Sequence, residues 1–228
     1  MSIYKEKFFR NLGVIAEHEQ EILRKTNVAI VGLGGTGGTA FECLLRLGVE
    51  NFILFDRDTF ELTNFNRQLL ATDITLDQKK TRAALERAKN INSNTKIIVN
   101  NEFASKKIKK AKIVIDGTDN VETRISIAKA CRDLRIPYVF SAASFSIGIV
   151  SIFTNYQFEK AFQLPKTKKE LNNYNTCTSV IAPATMFAGT LAASQAINYI
   201  LKKPFTEAPD ALFFDLFSKE IISKKRLE

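Results

Sequence analysis

The chain has 228 residues, 45% of them hydrophobic and 25% charged, enough for one sizeable α/β core and outside the fibrous and low-complexity classes. No apolar run approaches the roughly 20 residues of a bilayer span, and the first residues lack the apolar core of a signal peptide, so a cytosolic protein without a membrane anchor is expected. The 33 basic against 24 acidic residues leave a net charge of +9, a lysine-rich solvated surface or an affinity for acidic partners, nucleotide and nucleic acid among them.

Residues 15–25 read as a polar helix inside an N-terminal helical arm, 1–26. Residues 27–31 are a short apolar run ending at a glycine cluster, the pattern of a buried first strand. A helix over 36–47 and a second strand over 51–55 follow. Residues 57–70 are polar and irregular, 78–91 carry an apolar helical face, and strands recur at 96–99, 113–115 and 138–140 with a helix at about 120–134. This alternation predicts a Rossmann-like, doubly wound α/β fold with a mostly parallel sheet covered on both faces. Residues 147–154 alternate and read as an added strand, compatible with antiparallel pairing. Residues 155–176, rich in Lys and Asn, read as a mobile crossover loop. A long helix over 183–202 and two edge strands near 211–214 and 220–222 complete a C-terminal extension, so 27–228 form one domain.

The cysteines Cys43, Cys131 and Cys177 are odd in number and widely spaced, which fits a reducing compartment. No C-x-x-C pair exists, so no four-cysteine zinc site is expected. The single histidine, His18, lies upstream of the first strand, which disfavours a histidine base or histidine metal ligands in the core.

Gly32-Leu33-Gly34-Gly35-Thr36-Gly37 fits G-x-G-x-x-G between a strand and a helix, where backbone N–H groups and the helix dipole hold phosphates. Asp56 ends the second strand, where an acid accepts hydrogen bonds from ribose hydroxyls. Dinucleotide and mononucleotide both fit this turn. The residues downstream decide: Asp56-Arg57-Asp58, then Thr63-Asn64-Phe65-Asn66-Arg67-Gln68, Lys80, and Asp116-Gly117-Thr118-Asp119-Asn120 all fall past strand ends, at the ligand edge of such a sheet. They suit adenylation. Lys80 and Arg67 can neutralise a triphosphate, Asn64 can orient it, and Asp119 can hold Mg²⁺ on its oxygens. A carboxylate nucleophile needs no general base, in keeping with the missing histidines.

These motifs, in this order, resemble the ThiF, MoeB and HesA family, adenylating enzymes related to ubiquitin-activating enzymes, over residues 8–202. The resemblance implies ATP-dependent adenylation of the C-terminal glycine of a ubiquitin-like or sulfur-carrier protein ending in Gly-Gly. Asp56 would meet the ribose, supported by Asp58; Asn64, Arg67 and Lys80 the phosphates; and Asp119 the Mg²⁺. It also implies a homodimer in which an N-terminal arginine, here Arg10, enters the partner's site. Cys177, ahead of the last core helix, matches the place of a cysteine used in sulfur or acyl transfer, and a helix N-terminus favours its thiolate. Cys43 and Cys131 fall on apolar helix faces and read as core. The family's two zinc-binding C-x-x-C pairs are missing, as are rhodanese or ubiquitin-fold extensions.

Three other readings remain. The branch of the family that dehydrates a carbamoylated tRNA adenosine also lacks those extensions, and the positive charge suits tRNA. An NAD-dependent oxidoreductase is suggested by Tyr156 and Lys160 in Y-x-x-x-K spacing with Ser144 upstream. That family needs a different glycine pattern. A nucleotide-binding module without chemistry would have no use for Arg67, Lys80 and Asp119 together.

Overall fold

The computed structural model describes residues 2–165, 168–171 and 179–227. Eight strands form one sheet: β1 (Asn27–Val31), β2 (Asn51–Phe55), β3 (Lys96–Asn100), β4 (Ile113–Asp116), β5 (Tyr138–Ser144), β6 (Ile147–Phe153), β7 (Asp210–Asp215) and β8 (Ile222–Arg226). Their spatial order is β3-β2-β1-β4-β5-β6-β7-β8. The first five run parallel, and β6, β7 and β8 join antiparallel. This is the doubly wound sheet with an antiparallel extension that the sequence predicts.

The helices are α1 (Ile3–Lys7), α2 (Glu17–Lys25), α3 (Gly35–Arg46), α4 (Lys80–Ile91), α5 (Val121–Leu134), α6 (Phe158–Ala161), α7 (Lys168–Leu171) and α8 (Ala182–Ile200). The apolar runs in β1 and β4 alternate between two cores, as strands buried on both faces must. Val28, Ile30, Ile113 and Ile115 pack with α3, α4 and α8 on the first face. Ala29, Val31 and Val114 pack with α5 and α6 on the second. No described helix is long and apolar enough to cross a membrane.

The N-terminal arm packs where the strands begin. Tyr4 Oη donates to the Gly48 carbonyl at 2.8 Å, Gln20 Nε2 to Leu47 at 2.8 Å and Lys7 Nζ to Ile91 at 3.0 Å. Tyr4, Phe8 and Ile15 are buried there.

The segment read as a crossover loop holds the short helices α6 and α7 in its described part. Phe158 is 3% exposed and packs against Tyr138, Phe140, Phe153 and Phe162. Four helical residues are too few to show a period in sequence, so aromatic burial, invisible locally, fixes this stretch.

Candidate functional site

A cleft of about 1520 Å³ opens along the carboxyl edge of the sheet. Its floor is the glycine turn. Gly32 has φ +85°, and a Cβ there would meet the Gly117 carbonyl carbon and oxygen at 2.8 Å, while one on Gly37 would run into the Gly32 carbonyl oxygen. Only glycines let β1, the start of α3 and the loop after β4 approach this closely. The result is a helix that begins with Gly34 and Gly35, which carry no side chain of their own at the cleft, suited to an anion.

Asp56 ends β2 and is 8% exposed. Its Oδ2 accepts from the Leu33 N–H at 2.6 Å and Oδ1 from the Asp58 N–H at 2.8 Å. Burial pushes its carboxyl above the usual carboxylate range, against the opposing pull of the Leu33 N–H and the Lys80 charge. The two bonds fix the carboxylate at the cleft, with lone pairs left for hydroxyl donors.

Lys80 opens α4 and is 6% exposed, its Nζ 3.6 Å from Asp58 Oδ2 and 5.8 Å from the centre of the Phe60 ring. Asp58 is 59% exposed, so this ammonium is buried against a partner that solvent screens. Arg67 donates through Nη1 to the Thr63 carbonyl at 2.9 Å and to Asn66 Oδ1 at 2.8 Å, which directs the guanidinium along the wall. Asp119 is exposed in the loop after β4. All four of Asp56, Lys80, Arg67 and Asp119 line the cleft.

Asn64 stands apart. It is 8% exposed, absent from the lining, and its Oδ1 accepts from the Glu61 N–H at 3.2 Å. Its side chain shapes the 3-10 turn Leu62–Asn64 that presents Arg67. Arg10 is exposed near the opposite edge of the sheet and does not reach its own chain's cleft. Cys177 lies outside the described residues. Cys131 is buried, its thiol pushed up by burial, and Cys43 is half-buried beside Thr190.

Sequence reasoning gave Gln68 no role of its own and missed Thr185 and Arg124 as lining residues. Gln68 is 7% exposed and its Oε1 is buried without a hydrogen-bond partner among the described residues. It belongs to the same run as Arg67, a signal that could have singled it out. Thr185 comes from the first turn of α8 and donates to the Arg67 carbonyl at 3.1 Å, a contact 118 residues apart that no local pattern announces. Tyr156 and Lys160 lie outside the cleft, so the Y-x-x-x-K pair is not brought to the glycine turn.

Beneath the floor, Asp116 ends β4 at 0% exposure. Tyr138 Oη donates to its Oδ2 at 2.5 Å, and the Thr118 N–H and Oγ1 donate to its Oδ1 at 2.8 and 2.7 Å. Burial pushes this carboxyl up too. The network pins the loop that carries Asp119.

The cleft does not stop at the nucleotide-sized floor. Ala142, Ile149, Phe213 and Ser223 lie side by side across β5 to β8 in register. They are half-buried on the second face and line the same cleft. The space therefore runs from the glycine turn onto an open sheet face, with Lys225 at its far side over the Phe213 ring.

Among the described residues no group of three or more His, Cys, Asp or Glu could hold a metal ion. A Mg²⁺ carried on a triphosphate needs only one or two carboxylates. Asp119 fits that requirement, as an exposed carboxylate in the cleft wall.

Known proteins resemble this chain in sequence and fold. A model of the ThiF family matches residues 8–227. The molybdopterin-synthase adenylyltransferase of Haemophilus influenzae is 33% identical over 209 residues, 89% of this chain and 86% of that protein. The sulfur carrier protein ThiS adenylyltransferase of Escherichia coli is 29% identical over 211 residues, 90% of this chain and 83% of that one. The crystal structure of E. coli MccB with ATP superposes with a TM-score of 0.76 at 23% identity, over 92% of this chain and 66% of that one, a likeness of fold.

Proposed function

The chain belongs to the ThiF family and is an adenylyltransferase, and we propose that it joins ATP to the C-terminal carboxylate of a small ubiquitin-like or sulfur-carrier protein ending in Gly-Gly. One observation carries the reading: a single cleft links the glycine turn, Lys80 and Asp119 to a face that crosses four strands, through Ala142, Ile149, Phe213 and Ser223. Two glycines suit the narrow end, because they let a tail lie extended without side-chain clashes.

In this reading the glycine-turn N–H groups and the N-terminus of α3 take phosphate oxygens, and Lys80 and Arg67 neutralise their charge. Asp56 accepts the ribose hydroxyls and so fixes the α-phosphorus relative to the tail. A carboxylate oxygen of the tail attacks that phosphorus. The bond to the bridging oxygen breaks, and pyrophosphate leaves with the electron pair. No proton moves in this step, so the absence of a histidine at the site costs nothing. Asp119 would hold Mg²⁺, which supplies charge neutralisation on the leaving pyrophosphate.

Arg10 is free to serve a second copy of the chain, in keeping with a homodimer. Cys177 is the candidate for transfer after activation.

ATP–pyrophosphate exchange with Mg²⁺ tests the reading, run with purified carrier proteins ending in Gly-Gly and separately with bulk tRNA. Exchange that depends on a carrier is the expected result. AMP formation stimulated by tRNA alone would move the chain to RNA modification, and silence in both arms would leave a nucleotide-binding module.

A further inference from the structure

One cation in the cleft wall has no part in the mechanism above. Arg124 lies in the first turns of α5, its side chain 15% exposed. Its guanidinium sits 5.2 Å from the centre of the Phe140 ring, and Nη2 donates to the Thr118 carbonyl at 2.5 Å. Nε is buried with no hydrogen-bond partner among the described residues.

The nearest acid forms only a long ion pair with it, without a hydrogen bond. Asp116 Oδ2 is 4.0 Å from Arg124 Nε, and the Asp116 oxygens already accept from Tyr138 and Thr118. A guanidinium removed from water without a hydrogen-bonded anion is costly. Its fork of donors matches a carboxylate or a phosphate.

Position separates those two anions. Lys80 and Arg67 come from segments packed on the first face: Lys80 opens α4, and the Arg67 carbonyl meets Thr185 of α8. Arg124 comes from α5, on the second face. It braces the loop of Asp119 through Thr118, and Phe140 beneath it is two residues from Ala142, where the open sheet face begins. It therefore stands at the junction between the nucleotide floor and the open face.

We propose that Arg124 binds the carboxylate about to be adenylated, holding it at the nucleotide end of the open sheet face. The role rests on the reading of the cleft as an adenylation site. Two anions must meet in this reaction, and cations on one side only would attract the tail's carboxylate toward the β and γ phosphates. A separate cation on the other wall gives the carboxylate its own place and keeps it in line with the α-phosphorus. Arg124 is thus a substrate-binding residue that selects a free C-terminus.

The test uses a purified sulfur-carrier protein ending in Gly-Gly, prepared as the free acid and as the C-terminal carboxamide. Each is titrated into the protein saturated with a non-hydrolysable ATP analogue. The wild type should prefer the acid by about tenfold or more, the worth of a charge-assisted hydrogen bond. Arg124→Gln should bring the two forms to within about twofold while leaving analogue affinity within about twofold, and Arg124→Lys should keep part of the preference. Melting curves verify that each variant is folded.

An undiminished acid preference in folded Arg124→Gln overturns the proposal. So does equal weakening of both forms, the mark of a merely structural arginine, or loss of analogue affinity, the mark of a phosphate ligand. If Arg124→Gln does not fold, the acid preference of Arg124→Lys decides: unchanged, it overturns the role. A wild type that binds the analogue but neither carrier form removes the carrier reading and this role with it. Normal carrier binding and exchange with no acid preference removes the role alone.

Discussion

Replacing Lys80 with methionine separates the cost of burying a cation from its use. The ammonium is 6% exposed, and its only ion-pair partner among the described residues is Asp58 at 3.6 Å, itself 59% exposed. Taking such a charge out of water is unfavourable, and a screened partner returns about 0–1 kcal/mol. A methionine of similar length keeps the packing against Phe60, so in acid, where buried Asp56 is protonated and does not need the Lys80 charge, the substitution should leave the melting temperature unchanged or raise it. The reaction should respond in the opposite sense. A cation about 4 Å from a phosphate charge at an effective dielectric of about 20 is worth about 4 kcal/mol, or about three powers of ten in kcat/KM. Initial rates of pyrophosphate exchange at subsaturating ATP, beside a melting curve, measure both. A loss smaller than about tenfold in a folded variant would refute the placement of Lys80 on the phosphates.

Asp56 supplies a pH test. Its carboxyl is raised by burial, and ribose hydroxyls are best accepted by the ionised form, so ATP affinity should fall with acidification from above the usual carboxylate range; calorimetric titration of Asp56→Asn should show weaker binding without that pH dependence. Tyr138→Phe removes a donor from the fully buried Asp116 and should destabilise by about 1–3 kcal/mol. The folded pKa of Asp116 lies above its ordinary value, so this loss should be small in acid and grow as pH rises through that window, as read from melting curves of the two proteins side by side. Phe158→Ala opens the aromatic cluster on the second face and should cost about 3–5 kcal/mol, a fall in Tm of about 10 °C, with exchange at low temperature retained.

That the glycine turn, Asp56, Lys80 and Asp119 would line one cleft was legible because they lie in segments past the carboxyl ends of parallel strands, which the doubly wound topology brings to one edge. The same logic did not separate Asn64 from its neighbour Arg67: Arg67 lines the cleft, whereas Asn64 closes its own turn on Glu61. It could not reach Thr185 or Arg124, whose partners are set by the packing of α8 and α5. Tyr4, Phe8, Phe158 and Phe162 belong to elements of three to five residues or to their edges. Such pieces are helical because distant apolar surfaces bury them, so no periodicity in the chain marks them.

The change of strand direction after β5 places a seam through the cleft. The glycine turn, Asp56, Lys80 and Asp119 belong to the parallel half, and Ile149, Phe213 and Ser223 to the antiparallel half. The cleft-facing positions Ile149, Phe213 and Ser223, half-buried rather than locked in the core, can therefore change by mutation while the parallel half stays as it is. On the proposed reading, drift in the antiparallel half alters which acyl partner is accepted and leaves the nucleotide half intact.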